Sequence, residues 1–312
     1  MNDEIRQEIG RLISGNIEVD EPMGNHASMG VGGPADVVAY PGTPEEMGNL
    51  LAFLSENRIP FFPVGNWTNL IVRDGGYRGV VVSLKKLRMV CLEGNHSEED
   101  DREGFRYVRA QSGAGLSDLL ALSIEAGLTG LEFSAGIPGS VGGAVKMNAG
   151  AYGQEMKDVI ATVSLIETNG RLRIYNRDEL VFHYRCLDIP VGSVIVEATF
   201  RLQVGSRETV REKVLDILAK RKGKHPLAYR NAGSIFKNPK GQPAGRIIEE
   251  AGLKGLQVGG AMVSEMHGNF IVNLGTALAK DVTTLIAMIQ ETVQARKGIL
   301  LDPEVVIVGD DA

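Results

Sequence analysis

Two segments combine bare backbone with small polar side chains, as contact with a diphosphate requires. The first is Pro63-Val64-Gly65-Asn66-Trp67-Thr68-Asn69-Leu70, directly after a strand-like run. Gly65 allows a sharp turn, and successive N–H groups in such a turn form an anion nest. An ordinary turn has the same composition. The second is Gly136-Ile137-Pro138-Gly139-Ser140-Val141-Gly142-Gly143-Ala144, followed by Met147-Asn148-Ala149-Gly150-Ala151-Tyr152-Gly153. Glycines at this density leave amides uncovered, as close approach to phosphate needs. The run is neither the GxGxxG fingerprint nor a Walker loop, since no Gly-Lys-Ser/Thr follows. A structural Ω-loop is the competing reading.

A third segment, Asn231-Ala232-Gly233-Ser234-Ile235-Phe236-Lys237-Asn238-Pro239, offers a proton, a charge and an amide to one ligand. It lacks the GxSxG elbow of a serine hydrolase, and alone it reads as a capped turn. Tyr184-Arg185 and Pro303-Glu304 have little specificity by themselves, because Arg and Glu are usually solvated surface residues. His26, His96, His183, His225 and His267 show no metal-ligand spacing, so no metal is assigned. Cys91 and Cys186 are too few for a disulfide framework and form no CxxC pair, which fits reduced thiols. Trp67 and the sparse tyrosines make no aromatic ladder for single-stranded nucleic acid.

The elements that must position these residues follow from patterning. Thr43, Pro44 and Glu46 begin a helix over 43–57, with Met47, Leu50, Leu51 and Leu54 on one face. Strands at 35–40, 60–64 and 79–84 surround it. A second helix runs over 117–126 and stops at Gly127. The stretch 130–153 lacks helical or strand periodicity, and a loop of that length is functional or disordered. Its Ile137, Val141, Val145 and Met147 argue for order. Asn169-Gly170 joins strands 159–167 and 171–175 as a hairpin, and 194–202 is a further strand. Beyond Gly205, residues 208–222 form a charged helix with Val210, Val214, Ile217 and Leu218 inward. A short helix over 243–251 ends at Gly252, a long one carries Val282 to Val293 and stops at Gly298, and 304–308 is the last strand. The length fits about two domains, placed at 1–205 and 206–312. A net charge of -6 excludes global attraction to nucleic acid or anionic lipid. The polar Met1 to Gly10 is not a secretory signal, and no apolar run approaches the ~20 residues of a membrane span.

Taken in order, these motifs are far more specific than any one alone. With Val31-Gly32-Gly33-Pro34-Ala35-Asp36, Val72-Arg73-Asp74-Gly75 and Glu249-Glu250-Ala251-Gly252-Leu253-Lys254, they resemble the UDP-N-acetylenolpyruvoylglucosamine reductase family, of the compact second type, from about residue 25 onward. The resemblance implies an α+β flavoenzyme. Its FAD-binding domain is of the vanillyl-alcohol-oxidase/PCMH type, built from two subdomains, and a C-terminal α+β domain binds the UDP-sugar. Two positions depart from the family pattern. Trp67 stands where relatives commonly have glycine or serine, and Cys186-Leu187 follows Arg185 where a serine is usual.

The resemblance implies noncovalent FAD and NADPH as cofactors, and a UDP-sugar enolpyruvyl ether as substrate. The cofactor residues it implies are Gly65, Asn66, Thr68, Asn69 and Leu70, then Gly113, then Gly136 through Ser140 with Gly142, Gly143, Ala144, Asn148 and Gly150. Arg185 binds the substrate carboxylate as a planar fork, Glu304 assists as a protonated or proton-sharing carboxyl, and Ser234 supplies the proton. Asn231, Lys237 and Asn238 are substrate contacts. The implied location is the cytoplasm. Two alternatives stay open: an oxidase with a similar flavin domain, in which the Ser234 segment and Glu304 have no task, and a nonenzymatic binder of flavin or sugar nucleotide.

Overall fold

The computed structural model describes residues 1–94 and 98–312; His96 lies outside them. The chain divides into two compact units. The first comprises Met1–Glu18, Val37–Asn66 and Gly79–Arg221, and the second Val19–Asp36, Trp67–Arg78 and Lys222–Ala312. The division therefore falls after Arg221, where 205 was expected, and the second unit also takes two segments from the N-terminal half. The physical reason for the later division is the helix Arg207–Lys222, whose Val214 is buried in a core of the first unit with Ile217 packed against it. Leu218 was expected inward on the same helix, but it is 41% exposed; the helix buries Val210 and Val214 and packs Ile217 against the core.

The first unit has two cores, each with its own sheet. In one, Phe61–Val64 pairs in parallel with Tyr77–Ser83, which neighbours Pro34–Ala39. The helix Pro44–Glu56 covers it, burying Met47, Leu50, Leu51 and Leu54 with Val37, Val80 and Val82. Thr43 caps that helix by accepting from the Glu46 N–H at 3.1 Å. The Glu46 carboxylate reaches back one residue beyond the cap to the Gly42 N–H, 2.7 Å away. In the other, the order is Leu172–Asn176, Ile160–Ile166, Val194–Val204, Phe105–Gln111 and Val90–Leu92. Its first pair turns at Asn169-Gly170, where the Arg171 N–H donates to Asn169 Oδ1 at 2.9 Å and Gly170 takes a φ of 79°. The helix Leu116–Glu125 packs on this sheet with Phe133, Val141, Val145 and Phe200.

The second unit pairs Arg230–Asn231, Ile271–Asn273, Ala261–Val263 and Gln257–Val258 in that order, all antiparallel. Helices Ala244–Glu250 and Ala279–Lys297 pack on it through Ile247, Ile248, Val282, Leu285, Ile289 and Val293. Gly298, at a φ of 68°, stops the long helix as the sequence predicts. Its other end is capped from far away in sequence, because the Asp74 carboxylate accepts from the N–H groups of Ala279 and Lys280, both at 2.9 Å. Leu70–Val72 pairs in parallel with Val306–Val308, and Met29, Val31 and Ile71 complete the core. Among the described residues no helix is long and apolar enough to cross a membrane.

Candidate active site

In the first unit, the stretch expected to lack regular structure contains a short helix, Val141–Lys146. Val141 and Val145 are fully buried, and Ser140 caps it by accepting weakly from the Gly143 N–H at 3.4 Å. Periodicity missed this helix because six residues are too few to display an apolar stripe. Glu132 anchors the start of the stretch, accepting from Thr129 Oγ1 at 2.6 Å and the Gly130 N–H at 2.7 Å. Burial alone would raise the pKa of Glu132, but these bonds and Lys213 outweigh it and hold the carboxyl below its ordinary value.

Several glycines are required by the fold itself. A Cβ on Gly113 would collide with the Leu84 carbonyl, and one on Gly142 with the Ser112 side chain. Gly150 is hemmed in by the carbonyl of Gln154. Other features suit a charged ligand. A Cβ on Gly65 would collide with Ser140 Oγ, so the two glycine-bearing segments adjoin at that point. The N–H groups of Gly139 and Ser140 donate to no backbone carbonyl among the described residues. Arg221 lies against Gly136, where a Cβ would come within 3.1 Å of its Cδ and Nε. Burial pulls the Arg221 guanidinium below its ordinary pKa, with Tyr152 acting in the opposite direction. Two backbone donors at Gly139 and Ser140 without a carbonyl partner among the described residues, and a desolvated cation against Gly136 in the same segment, fit a diphosphate-bearing cofactor. Sequence reasoning missed Arg221, which is one basic residue among many on a charged helix.

Two other candidates, Asn148 and Arg185, are held by contacts within the first unit. Asn148 is fully buried at a φ of 40°, and its amide is engaged within the chain. Arg185 lies at the turn of a hairpin formed by Phe182–His183 and Cys186–Leu187. It has a φ of 60°, donates from Nη2 to the Gly150 carbonyl at 3.1 Å, and stands 4.9 Å from the centre of the Tyr184 ring.

The second unit brings Ser234 and Glu304 onto adjacent extended segments. The Glu304 N–H donates to the Ile235 carbonyl at 2.8 Å, and Phe236 bridges Pro303 in antiparallel fashion. Ser234 is half-buried, and its hydroxyl forms no hydrogen bond among the described residues. Lys237 pairs with Asp302 at 2.7 Å, and Asn238 Oδ1 accepts from the Ala244 N–H at 2.9 Å. Asn231 spends its side chain on the turn, donating to the Tyr229 carbonyl at 2.9 Å and accepting from the Gly233 N–H at 3.0 Å. Asn69 donates to the Glu304 carbonyl at 3.0 Å, while Leu70 is a buried strand residue paired with Val306. Trp67 is buried too and stacks on His26, 5.2 Å between ring centres. Gly65 and Asn66 belong to the first unit, Thr68 to the second.

Residues 35–175 match the FAD binding domain family, which makes this an α+β flavoprotein. Residues 225–308 match the UDP-N-acetylenolpyruvoylglucosamine reductase C-terminal domain. A UDP-N-acetylenolpyruvoylglucosamine reductase of Syntrophus aciditrophicus is 50% identical over 98% of this chain and 96% of its own length. That of Caldanaerobacter subterraneus is 44% identical over 96% of each chain. The crystal structure of the Thermus caldophilus enzyme superposes with a TM-score of 0.76 at 36% identity, covering 94% of this chain and all of that one. The chain belongs to the UDP-N-acetylenolpyruvoylglucosamine reductase family.

Proposed function

We propose that the chain is a UDP-N-acetylmuramate dehydrogenase. It acts in the cytoplasm and uses FAD and NADPH to reduce UDP-N-acetylglucosamine enolpyruvate to UDP-N-acetylmuramate, a peptidoglycan precursor. The observation that carries this reading beyond a generic flavoprotein is the bond between Glu304 and Ile235. It sets a hydroxyl and a carboxyl on neighbouring segments, where an oxidase has no use for them.

The enolpyruvyl double bond is electron-rich, so it accepts hydride only when its carboxylate is polarised. Arg185 binds that carboxylate with paired N–H donors and stabilises the enolate that forms as charge moves onto it. Bound FAD, reloaded by NADPH, supplies the hydride. Ser234 gives a proton to the carbon next to the carboxylate, a transfer driven by the enolate. Glu304 contributes a shared proton beside the same carboxylate. Lys237 and the Asn238 amide meet the diphosphate, which competes with Asp302 for the lysine. Asn231 shapes the turn that presents Ser234. Around the cofactor, the backbone of Gly65 to Leu70 and of Gly136 to Ser140 holds the diphosphate, with Arg221 adding a positive charge.

Anaerobic flavin absorbance tests the reading. NADPH should bleach the bound FAD, and the enolpyruvyl UDP-sugar should restore its colour without oxygen. A flavin that stays oxidised under NADPH identifies a binder, and one reoxidised only by oxygen identifies an oxidase; either result rejects the proposal.

A further inference from the structure

The hairpin that carries Arg185 has two residues in each strand, Phe182–His183 and Cys186–Leu187. So short a pair is not stable alone and needs outside contacts to fix its turn. Those contacts come from the end of the glycine run. Asn148 donates from Nδ2 to the His183 carbonyl at 3.0 Å, immediately before the Tyr184-Arg185 turn. Lys146 donates from Nζ to the Leu187 carbonyl at 2.7 Å, on the opposite strand. Each strand of the hairpin is thus held by one side chain.

The other end of the arginine is linked to Asn148 through a neighbouring strand pair. Arg185 donates to the carbonyl of Gly150, and Gly150 pairs with Glu155 across the strands Gly150–Ala151 and Gln154–Glu155. The second Nδ2 hydrogen of Asn148 goes to Glu155 Oε2 at 3.0 Å, and its Oδ1 accepts from the Lys157 N–H at 3.0 Å. A primary amide has two donors, and both are used inside the protein. Asn148 therefore has no N–H left to offer a cofactor.

We propose that Asn148 is a positioning residue for Arg185, clasping the hairpin at the His183 carbonyl two residues before the arginine and, through Glu155, the strand pair whose Gly150 carbonyl holds the guanidinium, and is not a cofactor ligand. The inference rests on the reading of Arg185 as the carboxylate-binding residue. The test is Asn148→Gly, because glycine takes the positive φ without strain while the amide is lost with the rest of the side chain. FAD affinity and flavin reduction by NADPH should stay near wild type. Reoxidation by the enolpyruvyl UDP-sugar should slow on the order of tenfold or more, as misplacement of a binding group does. Arg185→Lys, which loses the bidentate fork, should slow the same step by about as much or more. The double variant should be no slower than Arg185→Lys alone, because two residues acting through one group are not additive.

Weakened FAD binding with equal losses in both half-reactions would overturn the proposal, as would multiplicative losses in the double variant. If Arg185→Lys reoxidises normally, the reading of Arg185 fails and the inference with it. If it is slow while Asn148→Gly is fast, only the inference fails. Should Asn148→Gly not fold, Lys146→Met tests the clasp from the other strand: selective slowing of reoxidation supports it, and an unchanged or uniformly reduced pair of half-reactions rejects it.

Discussion

Arg185 and Ser234 are held in contrasting ways, although each segment depends on a buried asparagine. The Ser234 segment is bonded on both sides. Asn269 donates to the Phe236 carbonyl at 2.8 Å and accepts from the Phe236 N–H at 2.9 Å, so its amide stands in for a neighbouring strand. On the other side lie Asp302 and Glu304, bonded to the backbone of Lys237 and Ile235. Arg185 instead sits at a turn with a left-handed φ, and its guanidinium is placed by donating to the Gly150 carbonyl and lying over the Tyr184 ring. The difference follows from length. A serine has one rotor between backbone and oxygen, so the backbone must set the position of that atom. An arginine has several, and its head group has to be caught where it acts.

The largest effect that could break this comparison is at Ser234. Ser234→Ala should leave flavin reduction by NADPH unchanged and slow reoxidation by the enolpyruvyl substrate by roughly 10²–10⁴-fold, the contribution of a positioned acid. Stopped-flow absorbance separates the two steps, and wild-type reoxidation would remove the serine from the mechanism. A smaller effect is expected at its support. Asn269→Ala strands a buried N–H and a buried C=O, which should cost about 2–4 kcal/mol of stability. Urea unfolding measures this, and a loss within ~0.5 kcal/mol, typical of an unimportant surface position, would mean that the flanking segment alone holds Ser234.

The smallest expected effect distinguishes the units by pH. Burial depresses the pKa of His267, which packs against His225 and Phe270 in the second unit. The unfolded state then binds a proton more readily than the folded one, so stability is complete above the ordinary histidine value of 6.5 and declines as pH falls below it. Glu132 in the first unit is also depressed, but from 4.5, so its contribution is lost only in more acidic solution. Hydrogen exchange during acidification should therefore show peptides of the second unit losing protection first, and His267→Gln should reduce that lead. Simultaneous loss in both units, unchanged by the substitution, would refute the assignment.

What the sequence made legible was local. Thr43 and Pro44, the Asn169-Gly170 turn and Gly298 each mark an element through bonds to near neighbours, and those elements form as read. The motif order was also readable and identifies the family. What was not legible depends on residues far apart in the chain. Asp74 sits in a motif associated with the flavin enzymes, yet its carboxylate caps the helix Ala279–Lys297. Asn148 lies in the glycine run, yet its amide serves the fold. Arg221 looks like a solvated lysine-rich helix end until its contact with Gly136 is seen. No periodicity or spacing encodes such pairings.

The composition of the second unit bears on how the protein is made. Met29, Val31 and Ile71 belong to a core completed by residues beyond Lys222. Synthesis runs from the N-terminus, so these apolar side chains leave the ribosome well before the helices and strands that cover them. The nascent chain carries an unfinished apolar surface until its last strand, Val306–Val308, emerges to pair with Leu70–Val72. A ribosome stalled shortly before that point would release a product in which the first unit can close while the segments around Met29 and Ile71 stay uncovered, the kind of surface that chaperones bind and proteases cut.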